Sequence, residues 1–201
     1  MSAELPRDAS RADFWDARYR GGIVPWDSGG MPPLLLRHEF GRATHGRILV
    51  PGCGSAYEAR HFAERGRETL AIDFSEAAIA AALPVLGPHS AIALQADFFG
   101  FPGDDRPFDA IYERAFLCAL PRRLWPDYAA RAARLIRPGG TLSGFFFFDA
   151  NPKGPPFGTS REELEHLLLP LFECIEDHAV APEESIPIFR GKEHWMTWRR
   201  R

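Results

Sequence analysis

The chain has 201 residues, 45% of them hydrophobic and 25% charged, with a formal net charge of −3. That length fits one globular domain with its own core, expected to span residues 1–201, and the charge leaves no basic stripe for nucleic acid. The ten opening residues carry no apolar signal-peptide core, no stretch approaches the ~18 consecutive apolar residues of a membrane helix, and three widely spaced cysteines point to a reducing cytoplasm rather than a disulfide framework or zinc site.

In chain order, Arg11–Arg20 reads as a short helix with Ser10 as its N-cap. A loop rich in Gly and Pro follows over 21–33, and Leu34–Phe40 reads as helical again. Residues 1–45 thus form a helical cover ahead of an alternating pattern. Arg47–Val50 is a first strand, running into Pro51-Gly52-Cys53-Gly54 and a helix over Tyr57–Arg65 that breaks at Gly66. Thr69–Ile72 is a second strand, ending at Asp73. Ser75 caps an alanine-rich helix that Pro84 is expected to stop. Ala91–Gln95 closes at Asp97, Phe108–Tyr112 is a fourth strand, and a helix over Leu124–Leu135 ends at Pro138-Gly139-Gly140. Thr141–Phe148 is a fifth strand whose run of four phenylalanines suits burial on both faces.

Strands alternating with helices predict an α/β fold with a Rossmann-like, doubly wound, mostly parallel sheet. Phe172–Val180 and Glu193–Trp198 read as two further strands with no helix between them. Without a crossover they form an antiparallel hairpin at the sheet edge. The terminal arginines 199–201 read as a solvated tail.

Gly52 and Gly54 follow the first strand, where a backbone able to turn tightly lets a ligand approach. Asp73 ends the second strand, 21 residues after Gly52, where a carboxylate can accept from both hydroxyls of an adenosine ribose. These features suit NAD as well as S-adenosylmethionine. Three others favour S-adenosylmethionine. Tyr57 stands where a dinucleotide fingerprint has its third glycine. Asp97-Phe98 can accept from an adenine amino group and pack on its ring. The cover ahead of the first strand carries Phe14, Trp15, Tyr19 and Trp26, whose faces attract a sulfonium cation.

Several stretches together resemble the thiopurine and thiol/halide methyltransferase family, plant-type halide and thiocyanate members above all. They are Trp15 with Gly-Ile-Val-Pro-Trp-Asp at 22–27, Leu-Val-Pro-Gly-Cys-Gly at 49–54, Ala-Ile-Asp-Phe-Ser at 71–75, Phe-Asp-Ala-Ile-Tyr-Glu-Arg at 108–114, Phe-Leu-Cys-Ala-Leu at 116–120, Arg-Pro-Gly-Gly at 137–140 and Gly-Pro-Pro-Phe at 154–157. The resemblance implies S-adenosyl-L-methionine contacts at Trp15, Trp26, Gly52, Asp73, Asp97, Phe98 and Arg114, beside Gly54 of the same turn. Tyr19 stands where plant members often carry tryptophan. Arg114 stands where they carry tyrosine and thiopurine enzymes carry arginine.

The expected reaction is methyl transfer to a small soft nucleophile: a thiol, thiopurine, halide, thiocyanate or chalcogenide anion. Arg114 supplies positive potential, its alternative role being an ion pair with Glu113 or Asp149. Phe14, Trp26, Phe116 and Phe157 wall the acceptor. Cys53 and Cys118 read as packing residues rather than nucleophiles, and the histidines show no metal-ligand spacing. A monomer acting on a small molecule is expected, with no nucleic-acid or membrane partner. The competing readings are an NAD-linked oxidoreductase and an S-adenosylmethionine-binding module without turnover.

Overall fold

The computed structural model of the chain describes residues 7–103 and 106–201, so the first six residues of the cover and of the segment read for a signal peptide lie outside it. Among the described residues one seven-stranded sheet has the order β3-β2-β1-β4-β5-β7-β6. The strands are β1 (Arg47–Pro51), β2 (Glu68–Asp73), β3 (Ala93–Gln95), β4 (Phe108–Arg114), β5 (Ile136–Phe147), β6 (Phe172–Ala179) and β7 (Glu193–Arg200). β1 to β5 pair in parallel. β7 enters between β5 and β6, antiparallel to both. The expected hairpin is therefore present, with β6 as the outer edge. No described helix is long and apolar enough to cross a membrane.

The helices are α1 (Ala12–Arg20), α2 (Pro33–Arg37), α3 (Glu39–Arg42), α4 (Tyr57–Glu64), α5 (Glu76–Leu86), α6 (Trp125–Leu135) and α7 (Arg161–Leu168). Successive strand residues point to opposite faces, and the core divides accordingly. Leu49, Ile111, Leu142 and Phe146 pack with α6 and α7. Ile48, Val50, Ala110, Tyr112 and Phe145 pack with α4, α5 and Leu35 of the cover. Phe145, Phe146 and Phe147 are all buried, as a strand covered on both faces requires.

Local expectations fail where a side chain or a neighbouring strand overrides the pattern. Ser10 does not cap α1: Arg11 holds that position without a side-chain bond, and the Ser10 hydroxyl instead donates to Asp8. The helix expected over Leu34–Phe40 breaks at His38, whose ring nitrogen accepts from Phe40 N and starts α3. Pro84 does not stop α5, which runs on to Leu86. It sits on the exposed side, where a missing N–H leaves only the Ala80 carbonyl to solvent. Pro138-Gly139-Gly140 does not separate α6 from β5. The strand pairs at Ile136, then again from Thr141, and the residues between are absorbed by a register shift against Phe108 and Ala110.

α7 lies between Phe148 and Phe172, where the sequence pattern above names no element. Its signal was Ser160-x-x-Glu163, a capping box with both reciprocal bonds formed. The terminal arginines do not form a free tail, since Arg199 and Arg200 belong to β7, although Arg199 and Arg201 are exposed as expected. Arg199 pairs with Glu173 at 2.6 Å, Arg200 donates to the Ile136 carbonyl, and Arg201 donates to the Phe172 carbonyl at 3.1 Å.

Candidate active site

Winding reverses between β1 and β4, and a cleft of about 1330 Å³ opens there at the carboxyl ends of the parallel strands. Crevices of this kind are where open α/β sheets bind ligands. The turn after β1 holds Gly52 at φ +57 and Gly54 at φ +51. A Cβ on Gly52 would lie 2.4 Å from Cδ2 of Phe116, and one on Gly54 2.5 Å from the Tyr19 hydroxyl. The turn therefore needs glycine for both its conformation and its close approach.

Asp73 ends β2 beside this turn. Gly54 N donates to its Oδ2 at 3.2 Å and Ser75 N to its Oδ1 at 2.9 Å. Burial pushes its pKa up to about 6, against those two bonds. The carboxylate thus faces the cleft with unused acceptor capacity and a desolvation penalty that further donors would relieve. Asp97 begins the turn after β3, with Phe99 N donating to its Oδ1 at 3.0 Å. Phe98 is buried against Phe116 and Tyr128.

The cover is tied down next to Asp73. Asp16 of α1 accepts from the Ser75 hydroxyl at 2.6 Å and from Ala77 N at 3.0 Å, at the first turn of α5. This fixes a row of aromatics over the glycine turn. Trp15 meets Trp26 edge to face at 5.3 Å, and Trp26 Nε1 donates to the Tyr19 hydroxyl at 3.3 Å. Ser55 also donates to Asp27 of the cover.

At the end of β4, Ala115 adopts φ +56, a turn that a non-glycine residue takes only under strain. Arg114 and Phe116 on either side of it both line the cleft. Neither expected partner pairs with Arg114. Glu113 accepts from the Tyr128 hydroxyl at 2.6 Å and from Phe116 N and Leu117 N at 2.9 Å. Asp149 pairs with Lys192. Arg114 instead pairs with Glu58 of α4, Nε to Oε1 at 3.6 Å, with both side chains almost fully buried. Its Nη1 has no hydrogen-bond partner among the described residues. Glu193 is buried too, and burial raises its pKa while the Arg114 charge partly offsets that.

Eleven of the twelve residues expected to contact coenzyme or acceptor line this cleft: Phe14, Trp15, Tyr19, Trp26, Gly52, Gly54, Asp73, Asp97, Phe98, Arg114 and Phe116. Phe157 does not. It packs against the main core beneath, its N–H donating to the Cys118 carbonyl at 2.7 Å, while Pro155 and Pro156 reach the cleft. Phe14 is 2% exposed and lies under the Arg18 guanidinium, 3.3 Å from its ring centroid. Burial pushes the Cys53 and Cys118 thiols up, as packing residues require. Glu58, Glu193, Ile188 and Phe189 were not legible in sequence, since strand order and the reversed run of β7 bring them here.

Comparison with known proteins bears on the same arrangement. The sequence model of the thiopurine S-methyltransferase family matches residues 10–201. The chain belongs to the thiopurine S-methyltransferase family. It is a methyltransferase dependent on S-adenosylmethionine. The chain is 30% identical over 198 residues to thiocyanate methyltransferase 1 of Arabidopsis thaliana, covering 92% of this chain and 84% of the relative. It is 28% identical over 178 residues to a thiopurine S-methyltransferase of Pseudomonas fluorescens, covering 79% and 80%. Its fold matches Burkholderia thailandensis 1,6-didemethyltoxoflavin-N1-methyltransferase, solved with 1,6-didemethyltoxoflavin and S-adenosylhomocysteine. There the TM-score is 0.74 at 22% identity, over 100% of this chain and 93% of that one.

Proposed function

We propose that this family member methylates a small thiol or similarly soft nucleophile in the cytoplasm. The observation that carries the reading is the junction of two environments in one cleft. A glycine turn with a desolvated aspartate stands on one side. On the other, the buried Arg114, paired with Glu58, lines the cleft together with Trp26, Phe116, Ile188 and Phe189.

The residues fit S-adenosylmethionine. Asp73 has lone pairs left for ribose hydroxyls, the Gly52–Gly54 turn leaves no room for side chains, and Asp97 with Phe98 suits an adenine edge and face. Trp15, Tyr19 and Trp26 offer aromatic faces to a cation. When bound, the methyl sulfonium supplies an already activated methyl group. The protein's task is alignment, where effective molarities reach ~10⁵ M or more, and removal of water from the acceptor. The Arg114 side chain, which lines the cleft, would present its charge to the acceptor sulfur. A thiol with an ordinary pKa of about 8.5 becomes more acidic beside such a charge.

Calorimetry with S-adenosylhomocysteine, followed by a radiolabelled-methyl assay over thiols, thiopurines, thiocyanate, halides and hydrosulfide, tests the proposal. Tight binding with methylation of at least one sulfur acceptor is expected. Binding without any turnover would leave only a binding module, and affinity for NAD in its place would return the oxidoreductase reading.

A further inference from the structure

Arg114 is not a naked cation. Glu58 lies 3.6 Å from its Nε, the Tyr112 hydroxyl donates to the same Glu58 oxygen at 3.5 Å, and the buried Glu193 carboxyl also feels its charge. One arginine therefore stands among two buried carboxyls at the cleft wall. A permanently ionised acceptor placed there adds a negative charge to a cluster that is already compensated, and uncompensated charge in a dry site is costly. A protic acceptor adds none, because its proton stays inside the cluster. Glu113 and Asp149, the other carboxyls near the end of β4 and β5, are held by Tyr128 and Lys192. Glu58 keeps a sliver of exposure, 13% of its side chain, and it lines the cleft beside Arg114.

Resting on the acceptor class proposed above, we infer that Glu58 takes the proton from a thiol or hydrosulfide whose sulfur sits against the cleft-lining side chain of Arg114, so that the cleft is built for protic sulfur acceptors rather than for fixed anions. The S–H bond breaks, its electron pair stays on sulfur as thiolate, and the proton forms a neutral Glu58 carboxylic acid. Arg114, freed from its counter-ion by that transfer, holds the new anion. After the thioether leaves, Glu58 returns the proton to solvent. Burial raises the Glu58 pKa against the pull of Arg114 and the Tyr112 hydrogen bond, and the Asp27 charge in the cover raises it further, which moves the carboxylate toward the thiol it must deprotonate.

The test compares wild type with Glu58→Gln on three probes: 2-mercaptoethanol, thiocyanate and a nitrothiophenol that is fully ionised at neutral pH. With 2-mercaptoethanol at pH 7, turnover in Glu58→Gln is expected to fall by ~10²-fold or more. Its rate should then climb about tenfold per pH unit toward the pKa of the thiol itself, where wild type is already flat. The two ionised probes should be methylated as fast as by wild type or faster. S-Adenosylhomocysteine affinity by calorimetry should stay within a few-fold. Glu58→Asp, which keeps a carboxylate, should lose rate but retain the wild-type pH profile, and it carries the same test if the amide variant folds poorly. Equal loss on all three probes with coenzyme affinity intact overturns the inference and makes Glu58 a positioning residue for Arg114. An unchanged thiol rate and pH profile also overturns it. A wild-type enzyme that binds S-adenosylhomocysteine but methylates none of the probes overturns the acceptor class itself, and this inference with it.

Discussion

Replacing Asp73 with asparagine removes a buried charge and leaves the shape almost unchanged. Burial holds the Asp73 pKa near 6 instead of its usual 3.8, a difference worth about 3 kcal/mol. The folded pKa is raised, so the carboxyl's contribution to stability is complete below about 4 and lost as pH rises through about 6. At pH 8 the ligand-free protein carries that whole penalty, and Asp73→Asn does not. The amide has one oxygen where the carboxylate accepts from Gly54 N at 3.2 Å and Ser75 N at 2.9 Å. One of those donors would then face an NH₂ group, at about 1–3 kcal/mol. The variant should therefore be less stable than wild type at pH 4 and equal or better at pH 8, a relative change of about 3 kcal/mol. Coenzyme binding should move the opposite way. Losing two hydroxyl bonds to a charged acceptor, each about 1.5–3 kcal/mol, weakens S-adenosylhomocysteine by ~100-fold or more. Urea unfolding across pH 4–8 and calorimetry measure the two effects. Parallel stability curves would show that Asp73 bears no burial penalty, and unchanged affinity would remove it from the coenzyme site.

Three further substitutions probe separate links. Arg114→Met should cut thiol turnover by ~10²–10³-fold, as loss of a positioned electrostatic group does, with S-adenosylhomocysteine affinity within a few-fold. Unaltered turnover in the labelled-methyl assay would take Arg114 out of the mechanism. Asp16→Ala removes the acceptor for Ser75 Oγ and Ala77 N. It should cost about 1–3 kcal/mol and accelerate amide exchange in α1, and exchange at the wild-type rate would mean that other contacts hold the cover. Ser160→Ala breaks the capping box of α7 and should lower stability by about 1 kcal/mol. Ser160 lies outside the cleft, so a change in coenzyme affinity would contradict the separation of α7 from the site.

What could be read from the residues is what depends on local chemistry. Gly52 and Gly54 had to be glycine to turn at positive φ, Asp73 marked the end of β2, Ser75 capped α5, and the phenylalanine run of β5 demanded cover on both faces. Position by position these are decisions of backbone conformation and burial, and their signals lie within a few residues of one another. Pairing across the sheet is different. The Pro-Gly-Gly stretch joined β5 because β4 offered a register that skipped it, and Arg199–Arg201 became ordered because β6 and β5 supplied acceptors. The partner of Arg114 was equally hidden. Glu58 follows the glycine turn in sequence and reaches Arg114 only because β1 and β4 are neighbours, and Glu193 arrives because β7 runs antiparallel to β5, the next strand beyond β4. Residue types announce the glycine turn and the acids that close β2 and β3. The charge around Arg114 is set by which strands lie side by side, and that is decided by long-range packing.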